Sequence, residues 1–399
     1  MAVVVRHMLC VFLLILPAAA RGNPGRQAAL LRSIHLTLDE DFAGAHAILD
    51  SLASAEIDRP EPPFYKAMAY WRQGLNLENG PAYDADVRTL LGRTIELAEA
   101  HMKAHGESGE MYFWLGNAYG VRTGLEMLRK HVLRGAMDGY QGRECLFEAI
   151  RLDASLVDPR FGIGLSDYFL SQRLRILRMV GRFLSLPSGD REGGLGQVDR
   201  VARDGVYCQM DALSARAFVA LYYEHDHQDA RRRIADLLGR FPNSLDYRIR
   251  YADALLSLTL EQGEDHRRAL IDSVGSVRRI AEARGDRLKP WRRSKLVFTE
   301  GMAHYLLGDR DRAGALMADY LRQADPESWL RGPAELVLGK LADLKGDRTR
   351  ALAHYRRVRK CGDVWGSRAE AKHYLKHAFS GEEPVRRPPD RAQRYPEMP

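Results

Sequence analysis

The chain has 399 residues, a formal net charge of +7 and 28% charged residues. Of its 60 basic residues only 10 are lysines, and the arginines are scattered, not clustered, so the charge lacks the footprint of a nucleic-acid-binding face and no nucleic-acid partner is expected. After the first twenty residues no run of 18 apolar residues free of charge occurs, which excludes an ordinary membrane-spanning helix from that part of the sequence.

The N-terminus reads as a leader. Arg6 and His7 precede an apolar run from Met8 to Leu16, and Pro17-Ala18-Ala19-Ala20 offers small residues for a peptidase cut after Ala20. Residues 1–20 are therefore expected to be a signal peptide, and the protein to be periplasmic or secreted. His7-Met8-Leu9 before Cys10 is a poor lipidation box. Beyond the leader stand Cys145, Cys208 and Cys361, an odd and widely spaced set. At most one disulfide is compatible with it, and buried small hydrophobes are the simpler expectation.

Amphipathic helical segments follow in chain order. Ala28–Leu38 and Phe42–Leu52 come first, then Phe64–Leu75. Tyr112-Phe113-Trp114-Leu115-Gly116-Asn117-Ala118-Tyr119 reads as a helix, but no short turn is apparent after Gly120. Residues 121–141 are expected to be an inserted helix and loop, with a partner helix from Gly142 to Leu152. Phe161–Tyr168 is another helix. A second interruption is expected at 173–196, apolar and basic to Leu186 and then a Gly-rich turn, Pro187-Ser188-Gly189-Asp190-Arg191-Glu192-Gly193-Gly194. Leu213–Tyr223 pairs with Ala230–Arg240, closed by Pro242-Asn243, and Tyr247–Leu258 opens a further hairpin.

Two C-terminal units are better registered. Gly301 lies on one helix, Gly308-Asp309 make a turn, and Ala313, Met317 and Tyr320 share a face of the next helix before Pro326. The pattern recurs 38 residues later. Gly339 is followed by the turn Gly346-Asp347 and by Ala351, Tyr355 and Val358. In both units the turn falls seven residues after the helix glycine and the alanine twelve. Ser367–Phe379 suits a polar capping helix. The tail 381–399 is rich in Pro and Arg, poor in apolar residues and expected to be disordered.

These two units resemble the tetratricopeptide (TPR) repeat, with about 34 residues, small residues where two helices cross and a proline after the second helix. The resemblance is close only over residues 295–363, and the earlier segments are read as degenerate copies. It implies an all-α fold, a superhelical solenoid of helical hairpins spanning 21–380, with two insertions. It also implies a scaffold whose first helices line a concave groove for a protein or peptide segment. By that resemblance the groove candidates are Phe113, Asn117 and Val121; Phe161, Leu165 and Tyr168; Phe298, Met302 and Tyr305; and Leu336 and Lys340. A carboxylate clamp of the kind some family members use is not expected, because Phe113 stands where its lysine would be.

No catalytic constellation is legible, and neither a cofactor nor a metal is expected. Glu224-His225-Asp226-His227 is the densest metal-like cluster but falls in a turn. His101 and His105, and His373 and His377, share helix faces without a third ligand. Gly193-Gly194-Leu195-Gly196 lacks the lysine and hydroxyl of a phosphate loop. The reading is an exported scaffold and not an enzyme. The alternatives are an enzyme acting on a glycan or peptide at the insertions, or a membrane-surface adaptor using Arg173, Arg175, Arg178 and Arg182. An open groove favours the scaffold, and a deep pocket with convergent carboxylates or histidines the enzyme.

Overall fold

The structure is a computed structural model and describes residues 24–76, 80–171, 189–262, 265–285, 288–326 and 328–381. The leader, most of the apolar-basic stretch with Arg173, Arg175, Arg178 and Arg182, and the tail from residue 382 lie outside the described residues. Within them are 17 α-helices and no β-strand. They pair in sequence as eight hairpins and a cap. The hairpins are α1 (Pro24–Leu38) with α2 (Phe42–Ala55), α3 (Glu61–Asn76) with α4 (Asp84–His105), α5 (Gly109–Leu128) with α6 (Val132–Leu152), and α7 (Pro159–Ser171) with α8 (Arg191–Asp204). Then come α9 (Gln209–Val219, prolonged by a π-turn to Glu224) with α10 (His227–Arg240), α11 (Leu245–Gln262) with α12 (Arg267–Arg284), α13 (Pro290–Leu306) with α14 (Arg310–Gln323), and α15 (Arg331–Leu344) with α16 (Arg348–Val358); α17 (Ser367–Tyr374) closes the array. This is the expected all-α, TPR-like solenoid. Each hairpin buries its faces against its neighbours because a single pair has no interior of its own.

One turn recurs between the first and second helices. A residue in the left-handed region ends the first helix, Glu40, Lys130, His225, Gly308 or Gly346, and Gly189 holds the same place just before α8. In four of these turns the next amide bonds a carbonyl five residues back, Asp41 to Leu36, His131 to Glu126, Asp309 to His304 and Asp347 to Ala342, at 2.8–3.0 Å. The next residue is usually aspartate. Asp41, Asp190, Asp226, Asp309 and Asp347 each cap the second helix by accepting from the amide three residues on. The Gly-Asp pairs at 308–309 and 346–347 are thus the plain form of a motif that Glu40-Asp41 and His225-Asp226 carry without glycine.

The registered glycines mark helix crossings. A Cβ on Gly301 would lie 3.0 Å from the Met317 methyl, and one on Gly339 would lie 2.5 Å from the Tyr355 ring. Ala313 and Ala351 are fully buried beside them. The Tyr355 hydroxyl donates to Asp343 at 2.8 Å, so the ring is pinned at both ends. Gly339→Val is expected to destabilise the fold by about 1–3 kcal/mol through overpacking. A Cβ on Gly92, inside α4, would meet nothing within 4 Å. Gly92→Ala is expected to stabilise by about 0.5–1 kcal/mol through helix propensity. Urea midpoints of the two variants should move in opposite directions.

The structure corrects the first expected insertion and the Gly-rich end of the second. Residues 121–141 are not an inserted helix and loop. They are the second half of α5, the turn Arg129–His131 and the first half of α6, so this hairpin is simply long, at 20 and 21 residues. The missed turn has lysine at the left-handed position and histidine at the cap, which hides it from a search for Gly-Asp. Glycines 135, 139 and 142 let α6 run close along α5, and Arg122 grips Asp138 through two bonds of 2.8 and 2.6 Å. In the second region the Gly-rich stretch is not a turn beyond Asp190. Arg191 begins α8, and Gly194 meets Gly164 of α7 so closely that a Cβ on either would lie 2.6 Å from the other's carbonyl oxygen. Residues 172–188 lie outside the described residues.

The first six hairpins close on themselves. Asp39, in the α1–α2 turn, accepts from the backbone and side-chain amides of Asn243, both at 2.8 Å. Glu40 accepts from the Asp246 amide at 2.9 Å and the Ser244 hydroxyl at 3.2 Å. Arg284 of α12 reaches the Asp39 carbonyl, the Glu40 carboxylate and the Asn243 carbonyl. His35 packs on Phe241 with ring centroids 4.8 Å apart. The turn of the first hairpin is thereby latched to the start of the sixth.

Candidate binding cavity

The latched coil holds a half-open cavity of about 270 Å³, and nearly all of its wall comes from first helices. From α3 come Phe64, Tyr65, Met68 and Arg72; from α5, Asn117 and Val121; from α7, Phe161. From α9 come Asp211, Ser214, Ala215 and Phe218, and from α11 Asp246, Tyr247 and Arg250; Cys208, just before α9, completes the lining. The spacing on α3, α9 and α11 is that of one helix face, three, four and seven residues apart. The inner surface expected from the first helices therefore exists, as a half-open cleft between them.

Its wall is mixed. Phe64, Met68, Val121, Phe161 and Phe218 are apolar. Ion pairs stand among them on the same helices. Arg72 donates to Asp211 at 2.6 Å, and Asp246 accepts from Arg250 at 2.7 Å and from Arg292 of α13 at 2.9 Å. The Arg250 guanidinium also lies over the Phe218 ring, 5.0 Å from its centroid. The Ser214 and Tyr247 hydroxyls bond at 2.5 Å. Behind this wall Asp253 accepts from Tyr222 and Lys295, each at 2.6 Å.

The electrostatics suit binding more than acid–base work. Burial alone would raise the Asp246 carboxyl, but Arg250 and Arg292 outweigh it and hold the group below the usual carboxylate range. Burial would lower the Arg250 and Arg72 guanidiniums, yet their aspartates hold both above the ordinary value. Burial pushes the Cys208 thiol and the Tyr65 hydroxyl well up, so neither is ionised at neutral pH. Asp211 and Asp246 do converge on the cavity, but each is engaged by arginine, and Asp246 is a poor proton donor there. Among the described lining residues the polar atom left open is the Asn117 amide nitrogen, enclosed and without a hydrogen-bond acceptor.

The groove candidates divide sharply. Asn117, Val121 and Phe161 line the cavity. The structure corrects the placement of most others. Phe113 is buried against Trp114, with ring centroids 4.7 Å apart. Tyr168 is wholly buried and donates to Glu224 at 2.7 Å. Phe298 is enclosed by Tyr320 and Trp365, and Met302 and Leu336 are core. Lys340 is 1% exposed, paired with Glu370 at 2.7 Å beneath the rings of Tyr374 and Phe379. Tyr305 and Leu165 are half-buried and do not border the cavity. A first helix is flanked by helices on both sides, so most of its large residues are packing, and only a narrow stripe reaches the interior. The sequence reading missed Arg72, Asp211, Asp246 and Arg250, whose only local signal is helical spacing on a first helix.

The metal-like cluster resolves into structural roles. Glu224 binds Tyr168 and Arg191, His225 is the left-handed turn residue, and Asp226 caps α10. Among the described residues no group of three or more His, Cys, Asp or Glu side chains is placed to hold a metal. Cys145, Cys208 and Cys361 are free thiols, and burial pushes Cys145 up to about 11.

No protein-family model and no curated protein matches the chain. Solved structures do. It is similar to a thermophilic TPR protein of Thermus thermophilus, at 19% identity over 53% of this chain and 99% of that one, with a TM-score of 0.35. A TPR protein of Parabacteroides merdae matches at 13% identity over 78% and 97% of the two chains, with a TM-score of 0.36. Yeast Tom70 matches at 10% identity over 88% and 81%, with a TM-score of 0.39. The assignment of the fold rests on the hairpins described above.

Proposed function

We propose that the protein is an exported scaffold, not an enzyme, which receives a segment of a protein partner in the half-open cavity. The leader-like N-terminus supports export to the periplasm or beyond. The observation that carries the binding role is the convergence of five first helices on one half-open cavity, lined by apolar side chains and by ion pairs. Its volume, about 270 Å³, sits at the small end of ligand sites, which suits a terminus or a few side chains and no folded domain. The glycan- or peptide-cleaving alternative needs a carboxyl free to exchange a proton, and both cavity aspartates are held by arginines.

A photo-crosslinking residue at Phe161 tests this in the exported protein. Adducts with one protein species are expected at Phe161, none at the exposed position Glu192, and loss of the Phe161 adduct when Ala215→Trp fills the chamber. Adducts that persist in the filled variant, or their absence at Phe161, would sink the reading.

A further inference from the structure

The largest apolar exposure lies far from the cavity, at the tip of the long α5–α6 hairpin. Leu133 is 83% and Met137 73% exposed, and Val132, Tyr140, Met127 and Leu128 are exposed beside them. Leu133, Met137 and Tyr140 stand four and three residues apart, so they form one stripe along α6. An apolar stripe of this size on a protruding tip marks a contact surface.

The charges at the tip say what it meets. Its acidic groups are withdrawn. Glu126 is buried and bound by Arg88 at 2.9 Å and His131 at 2.6 Å, and Asp138 is buried under Arg122. Arg129 is bound to Asp84. Lys130 and Arg134 stand exposed at the end of the hairpin, Arg134 with its guanidinium 3.9 Å from the Glu126 carboxylate. The tip thus shows water an apolar flank and outward cations while hiding its carboxylates. A protein groove would ask for a concave counterpart, whereas this is the convex flank of one helix. Apolar side chains that sink below an anionic headgroup layer, with cations at its phosphates and an amphipathic tyrosine between, fit it directly.

We propose that the α5–α6 tip docks on an anionic lipid surface. Leu133 and Met137 enter the acyl boundary, Tyr140 lies at its edge, and Lys130 and Arg134 meet the phosphates. The interaction is peripheral, since no helix among the described residues is long and apolar enough to cross a membrane. It is independent of what the cavity binds, and it would hold that cavity at the membrane face.

Vesicle flotation of the purified full chain tests the idea. The wild type is expected to float with phosphatidylcholine vesicles containing phosphatidylglycerol and to stay behind with phosphatidylcholine alone. Two variants, Leu133→Asp with Met137→Asp and Lys130→Glu with Arg134→Glu, should each partition about tenfold or more weakly, the second because two phosphate-level cations are reversed. All four positions are exposed, and circular-dichroism melts report any loss of fold, such as one from the Glu126 contact that Arg134→Glu removes. No flotation of the wild type on the anionic vesicles, or flotation of the variants equal to the wild type's, overturns the proposal. So does a wild-type dimer that Leu133→Asp converts to monomer, which would show that the stripe covers a second copy.

Discussion

Asp246→Ala is expected to destabilise the protein by about 3–5 kcal/mol, the cost of breaking a buried charge cluster from one side. The Asp246 carboxylate bridges Arg250 on its own helix and Arg292 on the next hairpin, and Arg292 is only 4% exposed. Without the carboxylate Arg250 in the cavity wall and the buried Arg292 lose the anion they share. Chemical denaturation at pH 7 measures the loss. The pH dependence has a definite sign. The native Asp246 carboxyl is held below its unfolded value, so its stabilisation is complete above an unfolded value near 3.9 and fades as pH falls towards the native value. The gap between wild type and variant should therefore narrow below about pH 4 and hold steady above pH 5. A gap unchanged down to pH 2 would show that the carboxylate does not carry the effect. Glu40, pushed up by burial, has the opposite sign: its favourable contribution belongs to the protonated form and is lost as pH rises through the native value.

Trp114→Ala is expected to cost about 3–5 kcal/mol, by deletion of a large core side chain and the cavity left behind. The indole is wholly buried on α5. Its ring centroid lies 5.6 Å from Phe64 and 5.8 Å from Tyr65 of α3, and 5.5 Å from Tyr207 ahead of α9. It is the contact through which three hairpins share one core, so its loss should also loosen the chamber wall that Phe64 and Tyr65 form. A shift of less than about 1 kcal/mol in denaturation would mean that the neighbouring rings collapse into the space. Faster hydrogen exchange in α3 and α9, with α15 and α16 unchanged, is expected if Trp114 acts locally, as nearest-neighbour coupling in a repeat array requires.

The hairpin order was partly legible because each hairpin needs the same local chemistry. Gly339 with Ala351, and Gly301 with Ala313, are required wherever two helices approach closely, and the Gly-Asp turn supplies a left-handed residue and a cap at once. Lys130-His131 meets the same geometry with other side chains, at a strain of about 1–2 kcal/mol for a left-handed residue that is not glycine. A pattern keyed to glycine therefore misread a long hairpin as an insertion. The cavity residues were harder. Phe113 and Asn117 lie on one helix with the same repeat register, yet Phe113 packs against Trp114 while Asn117 faces the chamber.

From the sequence alone came the helical class, the hairpin alternation, the two registered crossings and the expectation of export. All of these rest on periodicity, capping and composition within about forty residues of chain. Only the tertiary structure decided that the coil closes through Asp39, Glu40 and Arg284 across more than two hundred residues. The same closure brings α3, α9 and α11 around one chamber and pairs Arg72 with Asp211 across 139 positions. The physical reason is that small rotations between successive hairpins add up over the array. No local window contains their sum, and that sum decides which of the equivalent helix faces meet.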